Sequence, residues 1–389
     1  MSRVEIADAL PQAAEIVADV RARGDEALLD WTERLDGERP AALRVPEEEI
    51  AAAEADPEFL AAVAWLAEAV RKFHEPQRPF DTASSPCPGV TAERRFMPLR
   101  SVGIYAPGGR ASYPSSLVMA AVPAQVAGVE RLAVVSPRPP AALLATARVL
   151  GIDEVYAVGG AQAIAALAYG TETIPRVDKI VGPGNRWVTA AKLLVSAHVG
   201  IDLPAGPSEV LIVADDTAEA ELCAADLLAQ AEHGPDSECL LVTTSAELAD
   251  RVERLTDGCD QVRVEVVASL TEALARADEY APEHLELHVA DPGEVAGRIR
   301  NAGSIFLGPS APAVLGDYAS GANHVLPTGG LARGAGGLGL EQFLKGIQIV
   351  SATPDGLDHV RGTIGALAAA EGLPLHAAAV EARFREVAA

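Results

Sequence analysis

The stretch EYAPEHLEL, positions 279 to 287, sets a carboxylate beside an imidazole as Glu283 and His284. Imidazole titrates near neutrality and suits a general base toward an alcohol, and a carboxylate can play the same part toward water. The dipeptide is equally compatible with a solvated strand end, because Leu285, Leu287 and Val289 alternate as in a half-buried strand. A second group lies in DDTAEAELCAADLLAQAEHGPDSE. Asp216 with Glu219 reads as a capping-box-like helix start and Gly234-Pro235 as a stop. The last turn between them holds Gln230, Glu232 and His233, with Gln230 and His233 three apart on one face. This is either a polar turn, with His233 against the helix dipole, or half of a metal site. A glutamine oxygen and an imidazole nitrogen would need a carboxylate and a second imidazole from elsewhere. GDYASGANHVLPTGG offers Asp317 and His324 in a turn-forming segment, and AAAEGLPLHAAAVEARF offers Glu371 and His376.

Three short apolar runs end in glycine turns: VGIYA before Pro107-Gly108-Gly109, EVYAV before Gly159-Gly160-Ala161-Gln162, and DKIV before Gly182-Pro183-Gly184-Asn185. Such turns let a phosphate approach the backbone and a helix N-terminus, although glycine also serves any tight strand-to-helix turn. GPGNRW carries Trp187 where the dinucleotide fingerprint has its third glycine, so a standard Rossmann phosphate loop is not expected.

These residues have to be positioned by regular elements. Residues 11–35 and 57–77 carry apolar residues at helical spacing. From about residue 100, β-rich runs (VGIYA, RLAVVS, EVYAVG, DKIVG, then EVLIVA, ECLLVTT, SIFLG) alternate with Ala-rich helical segments. Runs apolar on both faces and separated by helices imply parallel strands in βαβ units. The expected fold class is α/β: two doubly wound Rossmann-like domains with parallel sheets, N-terminal helices and a C-terminal helical tail. The expected divisions are an N-terminal helical segment at 1–99, a nucleotide-side domain at 100–205, a catalytic domain at 206–325, and a Gly-rich connection with tail at 326–389. A final helical segment is expected at roughly 355–388. Ligands are expected beyond the carboxyl ends of the strands.

The chain has 389 residues, 49% of them hydrophobic, and a formal charge of −24, which argues against nucleic acid and anionic membrane surfaces as partners. No basic-then-apolar leader and no membrane-spanning run stands out, so a soluble cytoplasmic protein is expected. Cys87, Cys223, Cys239 and Cys259 have no CxxC spacing, and Cys223 and Cys239, in apolar runs, read as reduced, buried thiols.

Taken together, GGAQAIAALAYGTETIPRVDKIVGPGN, DLPAGPSEVLIVAD, QAEHGPDS, YAPEHLEL, GDYASGANHVLPT and LAAAEGLPLHAAAV resemble the histidinol dehydrogenase family, in its order and from about residue 21 onward. The resemblance implies the four-electron, NAD-dependent oxidation of L-histidinol to L-histidine through histidinal, the last step of histidine biosynthesis, with one zinc ion per subunit. It implies Gln230, His233, Asp317 and His376 as zinc ligands and Glu283 and His284 as the catalytic acid/base pair. Ser208, His324 and Glu371 match substrate contacts, as do His284 and the four ligands, and Tyr105, Gln162 and Asn185 match NAD contacts. It also implies a homodimer in which the C-terminal tail completes the neighbour's site. The region around 255–268 and the extreme N-terminus look shorter than in relatives, which touches peripheral packing. Two rival readings are a related dehydrogenase acting on another alcohol, such as a sulfonated diol, and a non-enzymatic zinc- or nucleotide-binding protein.

Overall fold

A strand covered on both faces must be apolar at successive positions, and Glu209–Ala214 shows how this chain meets that demand. The computed structural model describes residues 3–108, 113–204 and 206–384. In it, Val210, Ile212 and Ala214 enter one core with Cys223, Leu227 and Leu241. Leu211 and Val213 enter the opposite core with Leu274, Leu285 and Leu287. Each face is worth covering, since a fully buried Val, Leu or Ile contributes roughly 1.5–3 kcal/mol.

The chain forms two compact units, Met1–Gln77 with Leu99–Phe343, and Arg78–Pro98 with Leu344–Ala389. The first unit holds two five-stranded parallel sheets. One comprises Ser101–Tyr105, Arg131–Val135, Val155–Tyr156, Lys179–Val181 and Gly200–Ile201. The other comprises Glu209–Ala214, Glu238–Thr243, Val262–Val266, His284–His288 and Ser304–Leu307. Numbered along the chain, the strands of each sheet lie in the order 3-2-1-4-5. Each sheet therefore reverses direction of winding between its first and fourth strands, which makes a crevice at that point.

The N-terminal amphipathic segment expected at 11–35 is two helices, Arg3–Arg23 and Asp25–Asp36, broken at Gly24 with φ 58°. The helix expected at 57–77 is Pro57–His74 followed by a single 3-10 turn to Gln77. Ala9, Ala13, Ile16, Leu28 and Trp31 pack on the first sheet's core. The region that looked shortened still supplies its full topology: helix Ala246–Leu255 reaches strand Val262–Val266 within a few turn residues.

The second unit contains a three-stranded antiparallel sheet, with Val90–Pro98 between Thr82–Cys87 and Leu344–Ala352. Helices Pro354–Ala370 and Pro374–Glu381 follow. The expectation of helix to 388 is described as far as Phe384; 385–388 lie outside the described residues, as do Gly109 and Ala205. Periodicity did not announce this sheet because its strands are largely exposed, so they lack the buried alternation that marks a strand in sequence. Among the described residues no helix is long and apolar enough to cross a membrane.

One buried ion pair supports the first sheet's central crevice. Lys192 Nζ lies 2.6 Å from Asp202 Oδ1 and 2.5 Å from the Gly182 carbonyl, and Asp202 Oδ2 accepts from Gly182 N–H at 2.6 Å. Both polar groups of Gly182 are thus held. Its φ of 110° and the Tyr105 carbonyl beside its α-carbon leave room for glycine alone.

Candidate active site

A cavity of about 450 Å³ opens in the first unit between the two parallel sheets. From the first sheet it takes the carboxyl ends of the central strands: Tyr105, which ends Ser101–Tyr105, and the turn Gly184-Asn185 after Lys179–Val181. From the second sheet it takes the opposite ends. Ser208 precedes Glu209–Ala214, and Glu283 and His284 stand at the start of His284–His288. The cavity therefore lies at the carboxyl ends of the first sheet's strands and at the amino ends of the second's. Both contributions still come from the strand pair where winding reverses.

Glu283 and His284 are not a solvated strand end; both are buried. Helix Leu270–Tyr280 stops at Ala281 in the left-handed region (φ 55°), and Pro282 then launches the strand. Gly303 lies against the Glu283 backbone so closely that a Cβ would strike its carbonyl, while Ser304 N–H donates to that carbonyl at 2.9 Å. Glu283 Oε2 accepts from Ser208 Oγ–H at 2.7 Å and from Glu209 N–H at 2.8 Å. Burial nevertheless raises its carboxyl above the usual range, opposed by His284 and these two donors. His284 Nδ1 lies 3.0 Å from the Glu209 carbonyl, an acceptor, so Nδ1 carries the proton and donates. That leaves the lone pair on Nε2, 3.8 Å from Asp317 Oδ1. Residue 209 thus holds both side chains through its own peptide groups.

His324 obeys the same logic. Its Nδ1 is 3.2 Å from the Asp317 carbonyl and its Nε2 is 3.3 Å from Ser116 Oγ, so Nδ1 donates and Nε2 accepts. Burial lowers its pKa, which keeps the ring neutral.

The predicted helix end differs in detail. The helix is Ala220–Ala231, capped from Glu219 without a side-chain hydrogen bond, so the capping-box reading at Asp216 is incorrect; Asp215 instead closes a turn on Thr217. Gln230 lies in the last turn and is buried, while His233 is past the end and exposed. They do not share a helical face; His233 Nδ1 meets the Gln230 backbone carbonyl at 3.2 Å. That contact leaves Nε2 of His233 as a donor atom for a ligand. Gln230 has a buried side-chain amide atom without a partner. An amide turned by 180° presents its oxygen there, which is what a cation would take. An amide oxygen, an imidazole nitrogen and the Asp317 carboxylate make a donor set suited to zinc. The one preformed group of three or more His, Cys, Asp or Glu among the described residues is elsewhere, at Asp226, Glu286 and His288.

Of the residues singled out in sequence, Tyr105, Asn185, Ser208, His233, Glu283, His284, Asp317 and His324 line the cavity. Tyr105 is buried, its hydroxyl accepts from Gly160 N–H at 3.2 Å, and burial pushes its pKa up to about 12. Asn185 caps helix Arg186–Val195, its Oδ1 accepting from Trp187 and Val188, which leaves its NH₂ for a ligand. Gln162 is buried behind Gly160 with Oε1 unpartnered. Glu371 and His376 belong to the second unit and are exposed there.

Sequence reading missed Ser116 and Glu209. Glu209 is legible in hindsight as the only charged position in the apolar run EVLIVA. It is 5% exposed; Oε1 accepts from Gly329 N–H at 2.6 Å and Oε2 has no partner. Burial, with Glu283 and Glu238 adding to it, pushes its pKa up to about 7. The folded protein therefore holds this proton more tightly than the unfolded chain, and the group's contribution to stability falls as pH rises from 4.5 toward 7. A rise of that size corresponds to roughly 3 kcal/mol. We expect Glu209→Gln to gain stability relative to the parent by roughly 2–3 kcal/mol between pH 4.5 and 8. Denaturant unfolding of both metal-free proteins at the two pH values checks this; an unchanged difference refutes it.

The sequence profile of histidinol dehydrogenase matches residues 1–384. A histidinol dehydrogenase of Thermobifida fusca is 46% identical over 408 aligned positions, covering 98% of this chain and 93% of the relative. One from Methanosarcina mazei is also 46% identical, covering 97% and 93%. The crystal structure of histidinol dehydrogenase from Elizabethkingia anophelis superposes with a TM-score of 0.91 at 38% identity, covering 96% of this chain and 92% of that one. Sequence, fold and cavity agree, and the chain belongs to the histidinol dehydrogenase family of oxidoreductases.

Proposed function

We propose that this chain oxidises L-histidinol to L-histidine through histidinal, reducing two NAD⁺ and using one zinc per subunit, as a cytoplasmic homodimer with no nucleic-acid or membrane partner. The observation that carries the reading is the pairing, in one cavity, of an imidazole with its lone pair free on Nε2 and a carboxyl buried beside it. Gln230, His233 and Asp317 would hold zinc, with His376 supplied by the partner subunit's tail. Tyr105, Gln162 and Asn185 would meet NAD, and Ser208, His324 and Glu371 the substrate. When bound, NAD⁺ accepts hydride and zinc anchors the substrate's amino and imidazole nitrogens.

His284 takes the alcohol proton on Nε2, because its Nδ1 proton is already committed to the Glu209 carbonyl. The aldehyde has no second hydride to give until it is hydrated, and Glu283 removes the proton from the water that adds. Its raised pKa brings it closer to neutrality, where giving and taking a proton are balanced. Neutral His324 accepts from Ser116, so it faces the substrate without adding charge beside an imidazole-bearing ligand. The cysteines stand apart from the cavity.

The purified protein is expected to form two NADH per histidinol consumed and to hold one zinc per subunit, lost on His233→Ala or Asp317→Ala. Neutral imidazole and ionised carboxylate are the binding forms, so zinc should weaken as pH falls into the histidine range. Silence toward histidinol but turnover of another alcohol would favour the sulfonated-diol rival; no NADH with any alcohol would favour a binding protein. Full zinc retention in both variants would remove these two ligands from the site.

A further inference from the structure

Strand His284–His288 is apolar on one face, where Leu285 and Leu287 meet the core, and polar on the other, where His284, Glu286 and His288 follow at every second residue. His284 reaches the cavity, but Glu286 and His288 do not line it. They are sealed, 0% and 4% exposed, with Asp226 of helix Ala220–Ala231 beside them. Polar side chains inside a sheet normally cost stability, so their partners explain their presence.

Glu286 Oε1 accepts from the Ala313 N–H at 2.6 Å, and Oε2 faces His288 Nε2 at 3.2 Å. Asp226 Oδ2 lies 3.9 Å from the same nitrogen, and carboxylate oxygens of Asp226 and Glu286 lie within 4.8 Å of each other. Burial first, then the Glu286 charge, pushes the Asp226 carboxyl up to about 7, which favours its protonated, donating form. Against burial, Cys223 and Glu286 hold His288 protonated.

The groups gathered at Glu286 come from three elements, and each element carries part of the reaction centre. Asp226 is one helical turn before Gln230, Ala313 is one turn before Asp317, and Glu286 is two residues past His284. The helix Ala313–Tyr318 has only Pro312 before it and no side-chain cap of its own, so Glu286 caps it from across the fold. The geometry points to Glu286, with Asp226 and His288, as positioning residues that lock the metal-side helix end, the Asp317 helix and the catalytic strand in one register. This rests on the functional reading above, in that the elements locked are those carrying the proposed zinc and proton-transfer groups.

The test compares Asp226→Leu, which removes the donor at similar volume, with Asp226→Asn, whose amide N–H replaces it. Supporting groups behind metal ligands typically govern affinity or activity by 10–100-fold. Asp226→Leu should lower kcat by about 10–100-fold, weaken zinc by a similar factor in chelator competition, and speed amide exchange across 313–318. KM for histidinol should change far less, and Asp226→Asn should recover most of each loss. If the leucine variant does not fold, Glu286→Gln serves as the second arm. It keeps the acceptor for Ala313 but offers a donor toward Asp226 and His288, and should reproduce the zinc effect while exchange across 313–318 changes less. Unchanged exchange and zinc affinity in a folded variant would overturn the proposal. So would equal losses in Asp226→Asn and Asp226→Leu, or a second zinc equivalent abolished by Asp226→Asn, which would make the cluster a metal site. Exchange and zinc competition need no substrate, so inactivity of the parent toward histidinol would sink the functional reading without deciding this one.

Discussion

Glu283→Gln is expected to leave the alcohol step running and to slow conversion of histidinal to histidine by roughly 10²–10⁴-fold, whereas His284→Asn impairs both steps. The separation follows from how the two side chains are held. A glutamine oxygen can still accept from Ser208 Oγ–H and Glu209 N–H, so the variant keeps its shape and loses only the ability to take a proton. His284 is anchored independently, through Nδ1 on the Glu209 carbonyl. Asparagine at 284 can satisfy that carbonyl but brings no base to the Nε2 position. Feeding histidinal directly and comparing NADH formation with that from histidinol isolates the second step. The pH dependence adds a signature with a definite sign. A carboxyl raised by burial works as a base only when deprotonated, so the aldehyde step in the parent should fall as pH drops through a value above the ordinary carboxylate range. Glu283→Gln should flatten that limb. Equal slowing of both steps by Glu283→Gln would refute the division of labour.

The parts of this centre that sequence made legible are those whose chemistry is local. EVLIVA and ECLLVTT read as doubly covered strands because alternate residues serve two cores, and the structure divides Val210, Ile212 and Leu211, Val213 accordingly. Glycine turns after VGIYA and DKIV were visible because a residue such as Gly182 needs a positive φ and the room beside Tyr105. What sequence did not carry was which end of each sheet faces the cavity. Strand patterns are symmetric end to end, so nothing in YAPEHLEL says that His284 opens at an amino edge while Tyr105 opens at a carboxyl edge. The alternation that suggested a half-solvated strand hid a second buried face, because Glu286 and His288 are satisfied by Ala313 and Asp226 from distant segments. The hairpin at 82–98 escaped notice for the converse reason: exposed strands carry no burial pattern to read.

Glu283→Gln and His376→Ala, each nearly unable to convert histidinal to histidine, are expected to recover about a quarter of the parental histidine-forming activity when unfolded together and reassembled. The expectation rests on where the chain keeps its groups. Glu283 belongs to the first unit, and His376 belongs to the second, exposed on helix Pro374–Glu381. Leu367 and Leu375, 60% and 80% exposed on the two helices of that unit, are large apolar side chains that a partner subunit would cover. If the tail of one subunit completes the site of the other, a two-fold dimer contains two identical composite sites. A mixed dimer then has one site carrying both defects and one carrying neither. Random pairing makes about half of all dimers mixed, and half the sites in each are intact, so activity approaches roughly one quarter. Zinc content should stay at the average of the two variants, because each intact His376 completes one site whichever subunits pair, so activity alone reads the recovery. The control is each variant reassembled alone, which must stay deficient in histidine formation. If Glu283 and His376 serve one site within a single chain, mixing recovers nothing, because every site keeps one defect whichever subunits pair. That outcome would remove the shared site and leave the chemistry assigned to Glu283 and His284 intact, since their anchoring through residues 208 and 209 lies wholly within the first unit.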